Sequence, residues 1–69
     1  MMNTGAKEIT SNNLKVIKDQ IGYEALMTKK FDQCSNTCTD QELKDLCCQA
    51  SQKHKDNFTS LKNYLESHQ

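Results

Sequence analysis

The sequence predicts an all-α protein: an antiparallel helical hairpin that pairs with a second copy of itself into a four-helix bundle. Three observations lead there. Apolar residues recur at steps of three and four along both halves of the chain, the period of one helix face. A polar break with a helix-start signal divides the halves. The chain has only 69 residues, of which 35% are apolar. A unit this small is marginal alone and calls for a disulfide, a metal or an oligomer interface.

The elements follow in order. Residues 1–10 are expected to form a loosely held arm of a single 69-residue domain. Thr10, Ser11, Asn12 or Asn13 is placed to cap a first helix, read as about residues 12–35. Its stripe runs Leu14, Ile17, Ile21 and continues through Met27, Phe31, Cys34 and Cys38. Ser35-Asn36-Thr37 reads as a stop, with Asn36 taking a left-handed conformation, and residues 36–39 as the turn. Thr39-Asp40-Gln41-Glu42 has the form of a capping box, T-x-x-E, with Cys38 and Leu43 as its hydrophobic staple. A second helix, about residues 40–67, carries Leu43, Cys47, Ala50, His54, Phe58, Leu61 and Leu65 at steps of three and four. No proline breaks either helix, and the single valine leaves strand signals poor. Two helices joined by about four residues run antiparallel. The expected dimer interface is Leu14, Ile17, Ile21, Phe31, Leu43, Cys47, Ala50, His54, Phe58, Leu61 and Leu65.

Composition excludes some functions. Nine lysines balance nine acids, and arginine is absent, so the basic face of a nucleic-acid binder is missing. No stretch approaches the roughly 18 apolar residues of a membrane span. Met1 to Asn13 lacks the apolar core of a secretory signal, so a cytoplasmic location is expected. The lysines interleave with acids and read as a solvated face. No nucleophile arrangement stands out: Ser51 and His54 share a face, but no acid is placed to orient the histidine.

Two groups of residues could carry chemistry. Glu24 lies on or beside the first stripe and His54 within the second; a turn centred near Asn36 to Thr39 sets Glu24 across from residues 51–54. Such a pair is either a buried polar contact that fixes register or a metal or proton site. Di-iron bundles use four glutamates and two histidines in Glu-x-x-His motifs, whereas Ser51 stands three before His54. Cys34, Cys38, Cys47 and Cys48 form the second group. Their C-x3-C-x8-C-C spacing matches no familiar zinc pattern. Small buried hydrophobes, disulfide or intermolecular cross-links, and zinc ligands all remain open roles.

The second helix also carries a resemblance. Asp40-Gln41-Glu42-Leu43-Lys44-Asp45-Leu46, Gln52-Lys53-His54 and the run Asn57 to Leu65 are similar to the "LK-x-L … KH-x-x-x-F-x-x-L-x-x-YL" ending of spore coat protein F-like proteins. Gln20 to Leu26 with Lys29-Lys30-Phe31 resembles that family's "L-x-x-E-x-x-x-x-K-x-[YF]" segment. The resemblance covers about residues 7–66. It implies a ferritin-like helical bundle from a spore-forming member of the Firmicutes. The function implied is a non-enzymatic structural protein, made in the mother cell and assembled with itself and other coat proteins, with no cofactor. Glu24 and His54 match positions of ferritin-like ligands, and the cysteines suit cross-linking in an oxidised coat. The competing expectation is a metal-binding or redox bundle using Glu24 and His54 or the cysteines.

Overall fold

The computed structural model describes residues 9–68. It is all-helical: α1 spans Ser11–Thr37 and α2 spans Gln41–Ser67, packed side by side as a hairpin. The expected N-terminal arm lies, apart from Ile9 and Thr10, outside the described residues.

Each helix has 27 residues, about 40 Å at 1.5 Å per residue. The Cα atoms extend 53 × 19 × 12 Å, with a radius of gyration of 15.8 Å. A compact domain of this length would have a radius near 11 Å. The described residues therefore form one layer of two helices, with neither face covered by another described element.

Local chemistry explains the boundaries. The Thr10 hydroxyl accepts from the Asn13 amide at 3.2 Å and caps α1. Ile9 and Leu14 take the positions of a hydrophobic staple around it. At its other end α1 runs through Asn36, and no left-handed residue ends it. The Thr37 hydroxyl instead donates to the Gln33 carbonyl at 2.9 Å, and the Cys38 amide donates to the Cys34 carbonyl at 3.0 Å before the chain turns extended at Cys38.

The expected Thr39 capping box does not form. Asp40 is the cap, its carboxylate accepting from the Leu43 amide at 2.8 Å. Asp outranks Thr at this position, and Glu42 stays in the first turn, beside the positive helix end. The staple is lost with the box: Thr39 and Lys44 now hold its two positions, and Leu43 is exposed. Gly22 lies mid-helix with nothing within 4 Å of where a Cβ would stand, so it serves no close packing.

Buried and half-buried residues follow a heptad. On α1 and its C-cap the heptad positions are Leu14, Ile17, Ile21, Glu24, Thr28, Phe31, Ser35 and Cys38; on α2 they are Lys44, Cys47, Ser51, His54, Phe58, Leu61, Leu65 and, just beyond the helix, His68, with Met27, Cys34 and Ala50 half-buried at their flanks. The seam changes character along its length. Aliphatic and aromatic side chains fill the open end, polar ones the middle, and sulfur the turn end. Only Ile17 and Cys47 are buried apolar residues, while Glu24, Ser35 and Ser51 are buried polar ones, counting the described residues. On α2 the inward residue is thus Ser51, whereas Ala50 is half-buried.

The cap assignment is directly testable. Asp40→Ala should lower stability by about 1 kcal/mol in urea unfolding, and Thr39→Ala by a few tenths at most. Equal losses from the two substitutions would contradict the Asp40 cap.

Candidate functional site

The middle of the seam joins the two helices through Glu24 and His54. Both occupy heptad positions, Glu24 seven residues after Ile17 and His54 seven after Cys47, so antiparallel packing sets them face to face. Glu24 is 6% exposed. His54 Nδ1 donates to Glu24 Oε1 at 2.5 Å. Gln20, one turn earlier on α1, donates its side-chain amide to Glu24 Oε2 at 2.9 Å. The Asn57 amide reaches Oε1 at 3.5 Å from α2. The imidazole is held between aromatic rings: Phe31 stacks on it at 5.6 Å with planes 8° apart, and Tyr23 meets it edge-on at 6.1 Å.

The hydrogen bond from His54, helped by Gln20 and Asn57, holds the Glu24 carboxyl below the usual carboxylate range against the opposing effect of burial. The pair is therefore built to keep a carboxylate ionised inside the seam. One turn on, Ser51 bonds the Asp32 carboxylate and lies 3.4 Å from the Thr28 carbonyl. These bonds satisfy the polar middle: no buried side-chain nitrogen or oxygen among the described residues lacks a partner.

The turn end holds the cysteines. Cys34 of α1 and Cys47 of α2 form a disulfide with Cα atoms 6.0 Å apart. Cys38 Sγ lies 3.5 Å from Cys34 Sγ, and the Sγ atoms of Cys34, Cys38 and Cys47 all fall within 4.8 Å of one another. Cys48 is exposed and looks the other way, its Sγ 2.9 Å from the Ser35 hydroxyl.

The expected interface residues mostly serve the hairpin itself. Ile17 and Cys47 are buried between its helices, and Leu14, Ile21, Phe31, His54, Phe58, Leu61 and Leu65 are half-buried along the same line. A different set remains uncovered. Val16 is 60% exposed and Leu46 55%, and Tyr23, Leu26, Leu43 and Tyr64 are about half exposed. At 3.6 residues per turn, Val16, Tyr23 and Met27 lie roughly 100° around α1 from the seam. Leu46 and Tyr64 lie as far around α2 in the sense that antiparallel packing turns to the same side. Val16 and Tyr64 in fact line one shallow groove with Ile17, Gln20 and Leu61. The hairpin thus has an apolar face and a polar one, and Cys48 belongs to the polar side.

Sequence reading missed Gln20, Asn57, the seam position of Ser51 and the uncovered face. Gln20 and Asn57 stand four before Glu24 and three after His54, a spacing that marks same-face neighbours on a helix. The uncovered face had a signal too, in the seven-residue interval from Val16 to Tyr23.

No family model, curated protein or solved structure matches the chain. Neither described helix is long and apolar enough to cross a membrane.

The Glu24 contact carries a pH signature. A carboxyl whose folded pKa is depressed contributes stability that is fully present above its ordinary value near 4.5 and is lost as pH falls through the folded value. Between about pH 5 and pH 3, the melting temperature should fall more steeply for the natural protein than for Glu24→Gln. Parallel curves would show that the carboxylate is not held by His54 in the folded chain.

Proposed function

We propose that this chain is a non-enzymatic structural protein that pairs with a second copy of itself into a four-helix bundle and serves in the coat of a bacterial spore. The observation that carries the pairing is the uncovered apolar face of Val16 and Tyr23 with Leu43, Leu46 and Tyr64, beside the half-buried Met27. A second hairpin is the occupant its size suits. One whole side of the hairpin, about 40 Å of helix by 19 Å of width, is on the order of 760 Å², so a partner lying along all of it would approach the roughly 800 Å² each side gives to a standard interface. A two-fold pair would lay the same patch on itself and supply the second layer that a helical bundle requires. A formal charge of zero leaves little long-range repulsion against self-association.

The coat setting is supported by the resemblance of Asp40 to Leu65, and of Gln20 to Phe31, to the spore coat protein F-like pattern. In that setting the chain acts by assembly, with itself and with other coat proteins, and Cys48 on the polar side is free to cross-link after the bundle has formed. One observation favours a second reading, a metal-binding or redox bundle: the convergence of Cys34, Cys38 and Cys47. Glu24 and His54 contribute less to that reading, because one carboxylate and one imidazole already satisfy each other.

The pairing is tested at Leu46. A charge at Leu61 would disturb the hairpin's own seam, whereas Leu46→Lys leaves that seam intact. Native mass spectrometry of the reduced protein should give a dimer, and Leu46→Lys a helical monomer. A natural chain that stays monomeric, or a dimer that survives the substitution, would refute the pairing through this face. The coat setting is tested by extracting purified spores of the source organism under reducing, denaturing conditions. The protein should appear in the coat extract; its presence in growing cells and absence from spores would count against the assignment.

A further inference from the structure

The turn end of the seam gathers three sulfurs in a pattern that a disulfide alone does not use. Cys34 and Cys38 are four apart at the end of α1, so both point toward α2, and Cys47 faces them from α2's second turn. The bridge takes Cys34 and Cys47 and leaves the Cys38 thiol 3.5 Å from Cys34 Sγ. Three thiolates around a soft cation at about 2.3 Å each would stand about 4 Å apart when planar. The spread of up to 4.8 Å among these sulfurs brackets that value. Cα atoms 6.0 Å apart let Cys34 and Cys47 separate by side-chain rotation once the bridge is reduced.

We propose that Cys34, Cys38 and Cys47, when reduced, bind one Cu(I) ion through three thiolates, so that a metal replaces the disulfide as the link between the helices. The donor set selects the ion. Three sulfurs and no oxygen or nitrogen suit a soft cation. No fourth His, Cys, Asp or Glu of the described residues joins the group, whereas structural zinc takes four protein ligands. Cu(I) is content with three. Cys48, next in sequence to Cys47, is directed away and bonded to Ser35. The resulting complex is anionic. Lys44, three residues before Cys47, shares its helical face.

The chemistry balances with a small-molecule thiol as reductant. Two RSH give two electrons and two protons to the Cys34–Cys47 bond and leave as RSSR, and the protein gains two thiols. Cu(I) then displaces the three protons of Cys34, Cys38 and Cys47 to the solvent. A small-molecule disulfide RSSR closes the site again: it takes two electrons and two protons from the Cys34 and Cys47 thiols and leaves as two RSH. The same cluster is thus a covalent staple in oxidising surroundings and a copper clasp in reducing ones. The inference stands apart from the coat setting, since it needs only one hairpin.

The test uses the full chain, reduced and kept anaerobic, titrated with Cu(I) against a coloured Cu(I) chelator. One copper per chain in the native mass spectrum, with thiolate-to-copper absorption, is expected, and no uptake by the oxidised protein. Cys38→Ser should weaken binding by on the order of 100-fold or more. Cys48→Ser should leave it unchanged. Cys38→Ser keeps both bridge cysteines, so its oxidised form reports separately, by helicity, that the fold is intact. Undiminished copper binding by Cys38→Ser would overturn the site. So would an equal loss in Cys48→Ser, which would reveal unselective thiol capture.

Discussion

Glu24 enters the seam as a charge, and the rest of the hairpin is arranged around it. A buried carboxylate is tolerated only when hydrogen-bonded. Here it receives His54 and Asn57 from one helix and Gln20 from the other. The contact also sets how the helices slide. Two heptad stripes can pack in several registers, each one heptad apart. A slip of seven residues along α2 would bring Cys47 or Leu61 opposite Glu24, and neither can donate a strong bond to a carboxylate. The buried pair therefore specifies one alignment more than it adds stability, the best-attested use of a buried polar group in a helical seam.

Once Glu24 meets His54, the same alignment carries Cys34 to Cys47 one end along, and Ile17 toward Leu61 at the other. The disulfide closes a short loop, with 13 residues of separation, and a bridge of that span contributes on the order of 3 kcal/mol in the chain-entropy account. That is a large share of what a 69-residue chain with two buried apolar side chains among its described residues has available. The polar middle contributes alignment, the sulfur end contributes the tie, and the open end contributes most of the apolar contact.

Much of this was legible in the residues because helical period is a strong signal. The steps of three and four marked both helices, and the spacing of Glu24 and His54 about the turn set them across from each other. What was misread follows from treating the apolar stripe as the seam. On α2 that stripe selects Leu43 and Ala50, but the seam runs through Ser51, because its middle is polar and a hydrophobic pattern is silent there. Leu43 is left on the outer face for the same reason. At the start of α2 two caps overlap in sequence, Thr39 with Glu42 and Asp40 with the Leu43 amide. A motif cannot rank them; the short connection and the better oxygen acceptor of Asp40 do.

The apolar face and the Glu24 pair are neighbours, and this links association to electrostatics. Tyr23 belongs to the uncovered face and also meets His54 edge-on. Asn57 lies on the same side and reaches Glu24. A second hairpin laid there would remove water from the outer side of both residues. Lower local dielectric strengthens a satisfied hydrogen-bonded pair and penalises an unsatisfied one. Covering the face would thus favour the register that keeps Glu24 on His54 over any slipped one. The hairpin that can pair is then the hairpin that is correctly aligned, and a misregistered chain would meet its partner with an unpaired carboxylate near the interface. A polar residue in the middle of a small seam costs apolar burial, and under the proposed pairing it would in return tie assembly to correct folding.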